Sequence, residues 1–545
     1  MTGLPPNGTT WPPRELREVT EHLRGWDAWY TGSVEKLAEH YYGGYFGAGV
    51  PGYPVPHAAQ YRGGMVGTIA RWFWGQPIAA GQQLNKVHVP IASDICTASA
   101  DLLFAEPPTL TVDTDGGANT ATQDRLNVLA DDTLHSVLAE AVEIGAALGG
   151  SYLLAAWDRD VVPDRPFLRT MHADAAWPEF SYGRLRAVTF WSVVKRDGQQ
   201  VWRHLERHSL DTSGVGVIEH ALYQGSEQDL GKTVPLTDVD ATAPLARLVN
   251  ADRIISTGSP GLDVVYVPNR RPQRRWRNHP VGHNLGRSDL DGVEHLMDAL
   301  DETYTSWMRD IRLGKGRVFV SKDLLDDIGA GQGAMWDADR EVYAPLKTAP
   351  GSLNPNGTSG TSTSSLAAQQ FAIRYEEHSS TAQNLVETIL RTAGYSSQTF
   401  GMDDSGGRQS NLTATEVQAR ERRSYLSRDR KIRLVGPEVS RIMTKLLWID
   451  KTIFGTAGVD PEQAVSVGFA DSTQESAITL AQTAQALSAA RAASTQTLVQ
   501  LVHPDWDDDQ VQSEVDRIKA EEPAAPDPTQ VHLLPGFSGD IPTEG

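Results

Sequence analysis

The sequence has almost no cysteine. Its single thiol, Cys96, excludes an intrachain disulfide and any zinc site built from cysteines. Cys96 ends the apolar stretch Pro90-Ile-Ala-Ser-Asp-Ile-Cys96, so a small core hydrophobe is expected there rather than a reactive thiol. Long hydrophobic runs are missing too. Nothing approaches the roughly 18 consecutive apolar residues that a membrane-spanning helix needs. The opening Met1-Thr-Gly-Leu-Pro-Pro-Asn-Gly8 has neither a basic nor an apolar segment. No signal peptide is expected, and the chain reads as soluble, intracellularly made and free of disulfides.

The usual catalytic signatures are also lacking. There is no His-Glu-x-x-His, no Gly-x-Ser-x-Gly, and no Gly-x-Gly-x-x-Gly between a strand and a helix. Gly225-Ser-Glu-Gln-Asp-Leu-Gly231-Lys232-Thr233 imitates a phosphate-binding loop but has five residues between its glycines instead of four. Val234-Pro235 follows where a helix should supply phosphate-binding N–H groups, so the resemblance is rejected. The 15 histidines are scattered. His204 and His208 stand four apart, but Glu206 between them is misplaced for a metalloprotease base, and a surface strand or helix end is expected. No metal, cofactor or catalytic residue is assigned. The pairs and runs Asp403-Asp404 and Asp507-Asp508-Asp509 read as solvated loops, and the 14 tryptophans as core and interface anchors.

Positive charge is in short supply. The chain has 69 acids against 49 bases, a formal net charge of −20. Phosphate contacts dominate the affinity of nucleic-acid binders, which excludes a tight, sequence-specific DNA reader. An acidic wall would instead let a polyanion slide. The imbalance is uneven. Asp505–Gly545 holds 11 acids and two bases, whereas Glu416–Arg433 holds seven bases and three acids. Arg270–Arg277 contributes five more bases.

What is present is a chain of 545 residues, 40% of them hydrophobic, with room for roughly two to four domains. Residues 1–13 read as loose. Helical spacing covers 16–30, 34–42, 91–104 and 121–148, with a short strand at 109–112. A Gly/Pro/Tyr-rich loop is expected at 43–64. From Gly149 the period falls to two. Strands are expected at 151–157, 167–171, 185–191 and 201–205, joined into one antiparallel sheet that 264–267 closes. A long helix is expected at 288–313, capped by Ser288 with Asp291 three residues on. Its apolar stripe is Leu290, Val293, Leu296, Met297, Leu300, Tyr304, Trp307, Met308 and Ile311. The strand Lys315–Lys322 and a Gly/Ser/Thr-rich mobile loop at 350–365 follow. A second helix is expected at 375–393, with Gly394 as its C′ residue. The glycine-bearing loop Phe400–Asn411 leads into a capping box, Thr413-Ala-Thr-Glu416, and a long helix that Pro437 kinks or restarts. A strand at 465–469, an Ala-rich helix at 475–501 and a last helix at 509–520 complete the α+β pattern.

This order of elements resembles the portal proteins of tailed, siphovirus-like bacteriophages. Thr399-Phe-Gly401, the loop to Asn411 and Leu412-Thr-Ala-Thr-Glu-Val417 resemble the family's entry into its long wing helix. Asn85–Pro90, Ala100–Pro107 and Gly150–Asp158 also resemble it, and the likeness spans roughly residues 25–505. It implies a portal fold with a mixed α/β wing (1–287 and 413–470) and stem helices at 288–313 and 373–393. The clip would be 314–372, the tunnel loop 394–412 and the helical crown 471–521, with 522–545 a disordered tail. It implies a dodecameric ring at one capsid vertex of the virion, assembled in the host cytoplasm away from membranes. The implied partners are major capsid and scaffolding proteins, the terminase large subunit and then the head-tail adaptor. Double-stranded DNA would pass without sequence specificity, and the protein would not be an enzyme.

The same resemblance suggests residues for each task. Asp403, Asp404, Ser405, Gly406, Gly407, Arg408, Gln409, Ser410 and Asn411 would line the channel. Arg408 would touch phosphate or pair with Asp403 or Asp404. Leu290, Val293, Leu296, Met297, Leu300, Tyr304, Trp307 and Ile311 would pack between subunits. Lys315, Arg317 and Lys322 would serve clip docking. The Arg-rich helix after Thr413 would face DNA or, as the net charge favours, pair with acids of the next subunit. Two rival readings stand beside this one, another head-assembly structural protein and a hydrolase with an acidic active site.

Overall fold

The structure is a computed structural model that describes residues 3–43, 86–112, 120–313, 317–320, 326–327, 334–335, 366–369, 373–402, 414–469, 477–503, 506 and 508–521. The expected loops at 43–64 (beyond Gly43) and 350–365, the channel residues Asp403–Asn411, Lys315, Lys322, Thr413, Asp507 and the tail lie outside these residues. Arg317 and Glu416 are described in their backbone alone. The chain divides into two compact units, Met1–Ala470 and Asp471–Gly545.

The first unit opens with α1 (Arg17–Thr31) and α2 (Val34–Gly43), then α3 (Ile91–Phe104), β1 (Thr109–Val112), α4 (Thr120–Leu129) and α5 (Leu134–Leu148). Next come β2 (Gly150–Ala156), β3 (Phe167–His172), β4 (Ala176–Ser181), β5 (Arg184–Asp197), β6 (Gln200–Leu210), β7 (Val215–Ser226), β8 (Asp229–Val234), β9 (Ile254–Pro260) and β10 (Val264–Pro268). Helices α6 (Glu294–Leu313) and α7 (Tyr375–Ala393) follow, with the short strands β11 (Arg317–Val320), β12 (Asp326–Asp327), β13 (Ala334–Met335) and β14 (Leu366–Gln369) between them. The 36-residue α8 (Ala414–Ile449) and β15 (Val465–Gly468) complete the unit. β15 pairs with β1, joining the two ends of the fold.

The expected single sheet is two. A three-stranded sheet runs β10-β2-β3, and a longer one runs β4-β5-β6-β7-β8 with β9 on β7. Strand β2 is buried on both faces. Tyr152 and Leu154 enter one core with α1, α3, α6 and α7, whereas Leu153 and Ala155 enter another with α4, α5 and α8. Alternation by two residues explains this division. It also explains why β2 reads as a continuous apolar run and not an alternating one.

The start of α6 differs from expectation. Helix α6 starts at Glu294, not Ser288, because Gly292 adopts a left-handed φ of 91° that no helix accommodates. Ser288 does not cap it; its hydroxyl donates to the Ala147 carbonyl at 2.5 Å. Helix α8 continues through Pro437 without a restart, and Val439, Ile442, Met443, Leu446 and Leu447 beyond it are all buried. Gly394 does close α7 in the left-handed region, with φ at 101°.

Within the segment expected to be loose, Gly8 to Trp11 are held in place. The Gly8 N–H donates to Gly231 O at 2.7 Å, and the Trp11 N–H to Gln228 O at 2.9 Å. The Trp11 ring is buried edge-on to Trp177 and Trp191. The false phosphate loop is the β7–β8 hairpin, where a Cβ on Gly231 would stand 2.1 Å from Gln224 O. The second unit contains α9 (Ala477–Ala489), α10 (Thr495–Val502) and α11 (Asp508–Glu521), so the expected Ala-rich helix is two. Ser494 ends the break between them by accepting from the Thr497 N–H. Val499, Val511 and Val515 form this unit's core. No helix among the described residues is long and apolar enough to cross a membrane.

Candidate functional site

Helices α6 and α7 form a hairpin, and the stripe on α6 divides into two parts. Leu290 and Val293, which precede the helix, are fully buried, as are Met297 and Leu300 on it. They pack in the chain's own core with Ile389, Leu390 and Ala393 of α7. These four are therefore committed within the subunit and are not free to pack between subunits. Further along the helix the stripe emerges. Leu296, Tyr304 and Trp307 are half-buried, and Met308 and Ile311 are exposed.

The free end of the hairpin is held by its own contacts. The Trp307 ring stacks on His378 at 6.1 Å and meets Tyr375 edge-on at 5.6 Å. Asp310 accepts from Arg374 at 3.1 Å and from His378 at 3.0 Å. These hydrogen bonds hold its carboxyl below the ordinary range. Ile373 and Tyr375 at the start of α7 are exposed, as are Met308 and Ile311 near the end of α6.

The base of the hairpin is polar and closed. Lys431 of α8 meets Asp289 at 2.5 Å, and Tyr395 donates to the same carboxylate oxygen at 2.7 Å. Asn269 donates to the other oxygen at 2.9 Å, and Arg270 at 3.2 Å. Burial pushes the Asp289 carboxyl up, but Lys431 and Arg270 outweigh it and hold the group below the usual carboxylate range. Arg428 is buried too and donates to Leu102 O at 2.7 Å. Two of the seven bases on this helix are thus used inside the subunit, which corrects their assignment to DNA or to a neighbouring chain. Arg422, Arg423, Arg430 and Arg433 remain exposed.

A second polar cluster joins His204, Glu206 and His208, which the sequence assigns to a surface strand or helix end, to His220, which it does not single out. It lines a cavity of about 1060 Å³ walled by Trp157, Phe167, Trp191 and Leu245. His204, Glu206 and His208 alternate along β6 and so share one face, and His220 of β7 stands opposite Glu206. His208 is not a surface residue; it is buried. Burial pushes its imidazole down, but Asp263 at 2.8 Å and Glu206 at 3.1 Å outweigh that and raise it to about 9. Burial also lowers His204, and lowers His220 to about 4. For Glu206, burial acts upward, but the hydrogen bond and charge of His208 hold it well below the ordinary range. Spacing by two was the available signal; the partner strand was not.

Comparison with known proteins gives the family. The family model for phage portal proteins of the SPP1 Gp6-like type matches residues 71–526. The chain belongs to the phage portal proteins. Two solved structures align at 14% identity. One is the neck of a native GTA particle computed with C12 symmetry, covering 84% of this chain and 96% of that one with a TM-score of 0.33. The other is the neck of an empty GTA particle computed with C6 symmetry, covering 78% and 95% with a TM-score of 0.36. No curated protein matches significantly. As a portal protein the chain is a virion component of a structural family, and its α+β architecture accords with that family.

Proposed function

We propose that this chain is one subunit of a dodecameric portal ring at a single capsid vertex, the channel through which double-stranded DNA enters and leaves the head. The family match over 71–526 carries this reading. In it, 1–287 and 413–470 form the wing, the α6–α7 hairpin the stem, 314–372 the clip, 394–412 the tunnel loop and 471–521 the crown. The exposed apolar end of the hairpin supports the stem assignment. Met308, Ile311, Ile373 and Tyr375 are exposed, and a ring offers neighbours to cover them.

The clip, with Lys315, Arg317 and Lys322, docks the terminase large subunit and later the head-tail adaptor. The polar loop Asp403–Asn411 lines the channel, where Arg408 meets passing phosphates. The net charge of −20 supports passage without capture, because a polyanion gains little from contact with an acidic wall. Major capsid and scaffolding proteins surround the ring during assembly in the host cytoplasm.

Negative-stain imaging with light-scattering mass of the purified protein tests the proposal. Rings with a central hole and a mass near twelve subunits are expected. A monomer that hydrolyses a sugar or nucleic-acid substrate would sink the reading.

A further inference from the structure

The cluster on β6 and β7 has the donors of a metal centre. His204 Nε2 lies 3.1 Å from His220 Nδ1. Two nitrogens bound tetrahedrally to one zinc ion at about 2.0–2.1 Å each stand about 3.3 Å apart, close to this separation, and the hydrogen bond that now joins the two rings is given up when the ion enters. A carboxylate oxygen of Glu206 completes a trio whose ligand atoms all lie within 4.8 Å of one another. We propose that His204, Glu206 and His220 bind one divalent transition-metal ion of the zinc, nickel or cobalt class on the sheet face that lines the cavity.

The site is built rather than gathered by chance. All three ligands stand on adjacent antiparallel strands, and the register places Glu206 directly opposite His220. The two imidazoles are parallel within 8°, with ring centroids 5.2 Å apart. An outer layer holds the carboxylate. His208 donates to Glu206 Oε1 and is itself anchored on Asp263, which is wholly buried. Such a chain of carboxylate, histidine and ligand orients a metal-binding side chain.

The donor set selects the ion. Two imidazoles and one carboxylate suit borderline transition metals, whereas calcium and magnesium prefer oxygen donors. Three protein ligands leave a fourth position open, which water from the cavity can fill. Arg169 approaches Glu206 Oε2 at 3.3 Å and occupies the place of a cation. Its side chain is 39% exposed, so it can withdraw to solvent when the ion enters. The ion would tie β6 to β7 where the long sheet faces the cavity. Nothing in this depends on ring assembly.

Isothermal titration of the full chain with zinc chloride tests the site. One saturable ion per chain is expected, with no competition from millimolar magnesium. His204→Ala and His220→Ala should each weaken binding by more than the roughly hundredfold that loss of an outer-shell partner costs. His172→Ala, on a half-buried histidine of β3 that pairs with Glu140, should leave it unchanged. Should an alanine variant fail to fold by circular dichroism, Glu206→Gln keeps the shape and removes the anionic donor, and should weaken binding at least about tenfold. Absence of a saturable site, or binding unaffected in folded His204, His220 and Glu206 variants, would overturn the proposal.

Discussion

Lys431 and Asp289 form a buried ion pair at 2.5 Å although 142 residues separate them. The contact fastens the long helix α8 to the foot of the hairpin. Removing Lys431 leaves a buried carboxylate compensated only in part by Arg270, and breaking such a buried pair typically costs about 3–5 kcal/mol. Lys431→Met should therefore destabilise the subunit by about that amount in a denaturant titration. Combining it with Asp289→Leu should recover little, because Arg270, Asn269 and Tyr395 then lose their shared acceptor.

The same carboxylate sets an acid limit. Asp289 ionises more readily in the folded chain than in the unfolded one, where a value near about 3.9 applies. Unfolding thus takes up a proton at low pH. The stabilisation is complete above about pH 4 and fades as pH falls below it towards the depressed folded value. Denaturant midpoints measured downward from pH 5 should show this decline, and it should be shallower in the double variant.

Lys445 acts in the opposite range. Burial lowers its ammonium to about 8, while it donates to Gly261 O at 2.7 Å and Pro260 O at 3.0 Å. Between about pH 8 and the ordinary lysine value near about 10.4, the unfolded chain holds a proton that the folded chain has released. Stability should rise with pH across that window. Lys445→Met should flatten the rise, as read from melting temperatures taken along the pH series.

The division of the α6 stripe predicts two kinds of variant. Leu300→Ala removes a fully buried side chain and should cost about 2–5 kcal/mol of subunit stability. Ile311→Glu alters an exposed position and should shift subunit stability by no more than about 0.5 kcal/mol. The second should still reduce the yield of rings in negative stain, because it places a charge where the proposed neighbour packs. Normal ring yield from Ile311→Glu would remove this end of the hairpin from the interface.

Arg408→Ala should assemble normally and change the amount of DNA packaged. Imaging of rings and quantification of encapsidated DNA separate the two effects. Failure to form rings would overturn the channel assignment of the loop.

Much of the fold was legible because local pattern decides it. Helical spacing placed α6 and α7, and the lack of a side chain at Gly394 marked the end of α7. The strand period found β2, β3, β5 and β6. What was illegible depends on partners distant in sequence. The apolar residues of α6 carried no sign of which would be used at home, since periodicity gives a face and not its occupant. Trp11 seats in a socket made by Trp177 and Trp191, so a Pro-rich segment that reads as loose is pinned. The His204–His220 pair required the β6–β7 register, which no single strand encodes.

The pinned N-terminal segment also has a protective effect. Strand β8 is an outer strand of the long sheet, and outer strands offer unpaired backbone groups to any passing chain. Thr9 O accepts from the Leu230 N–H at 2.9 Å, and Asn7 Oδ1 from the Thr233 N–H at 2.9 Å, so the segment occupies part of that edge. A chain trimmed to begin at residue 14 would bare the strand and also lose the buried Trp11 from its place against Trp177 and Trp191. Its failure would then be sideways adhesion between assembled particles, visible as clumping under conditions in which each subunit remains folded.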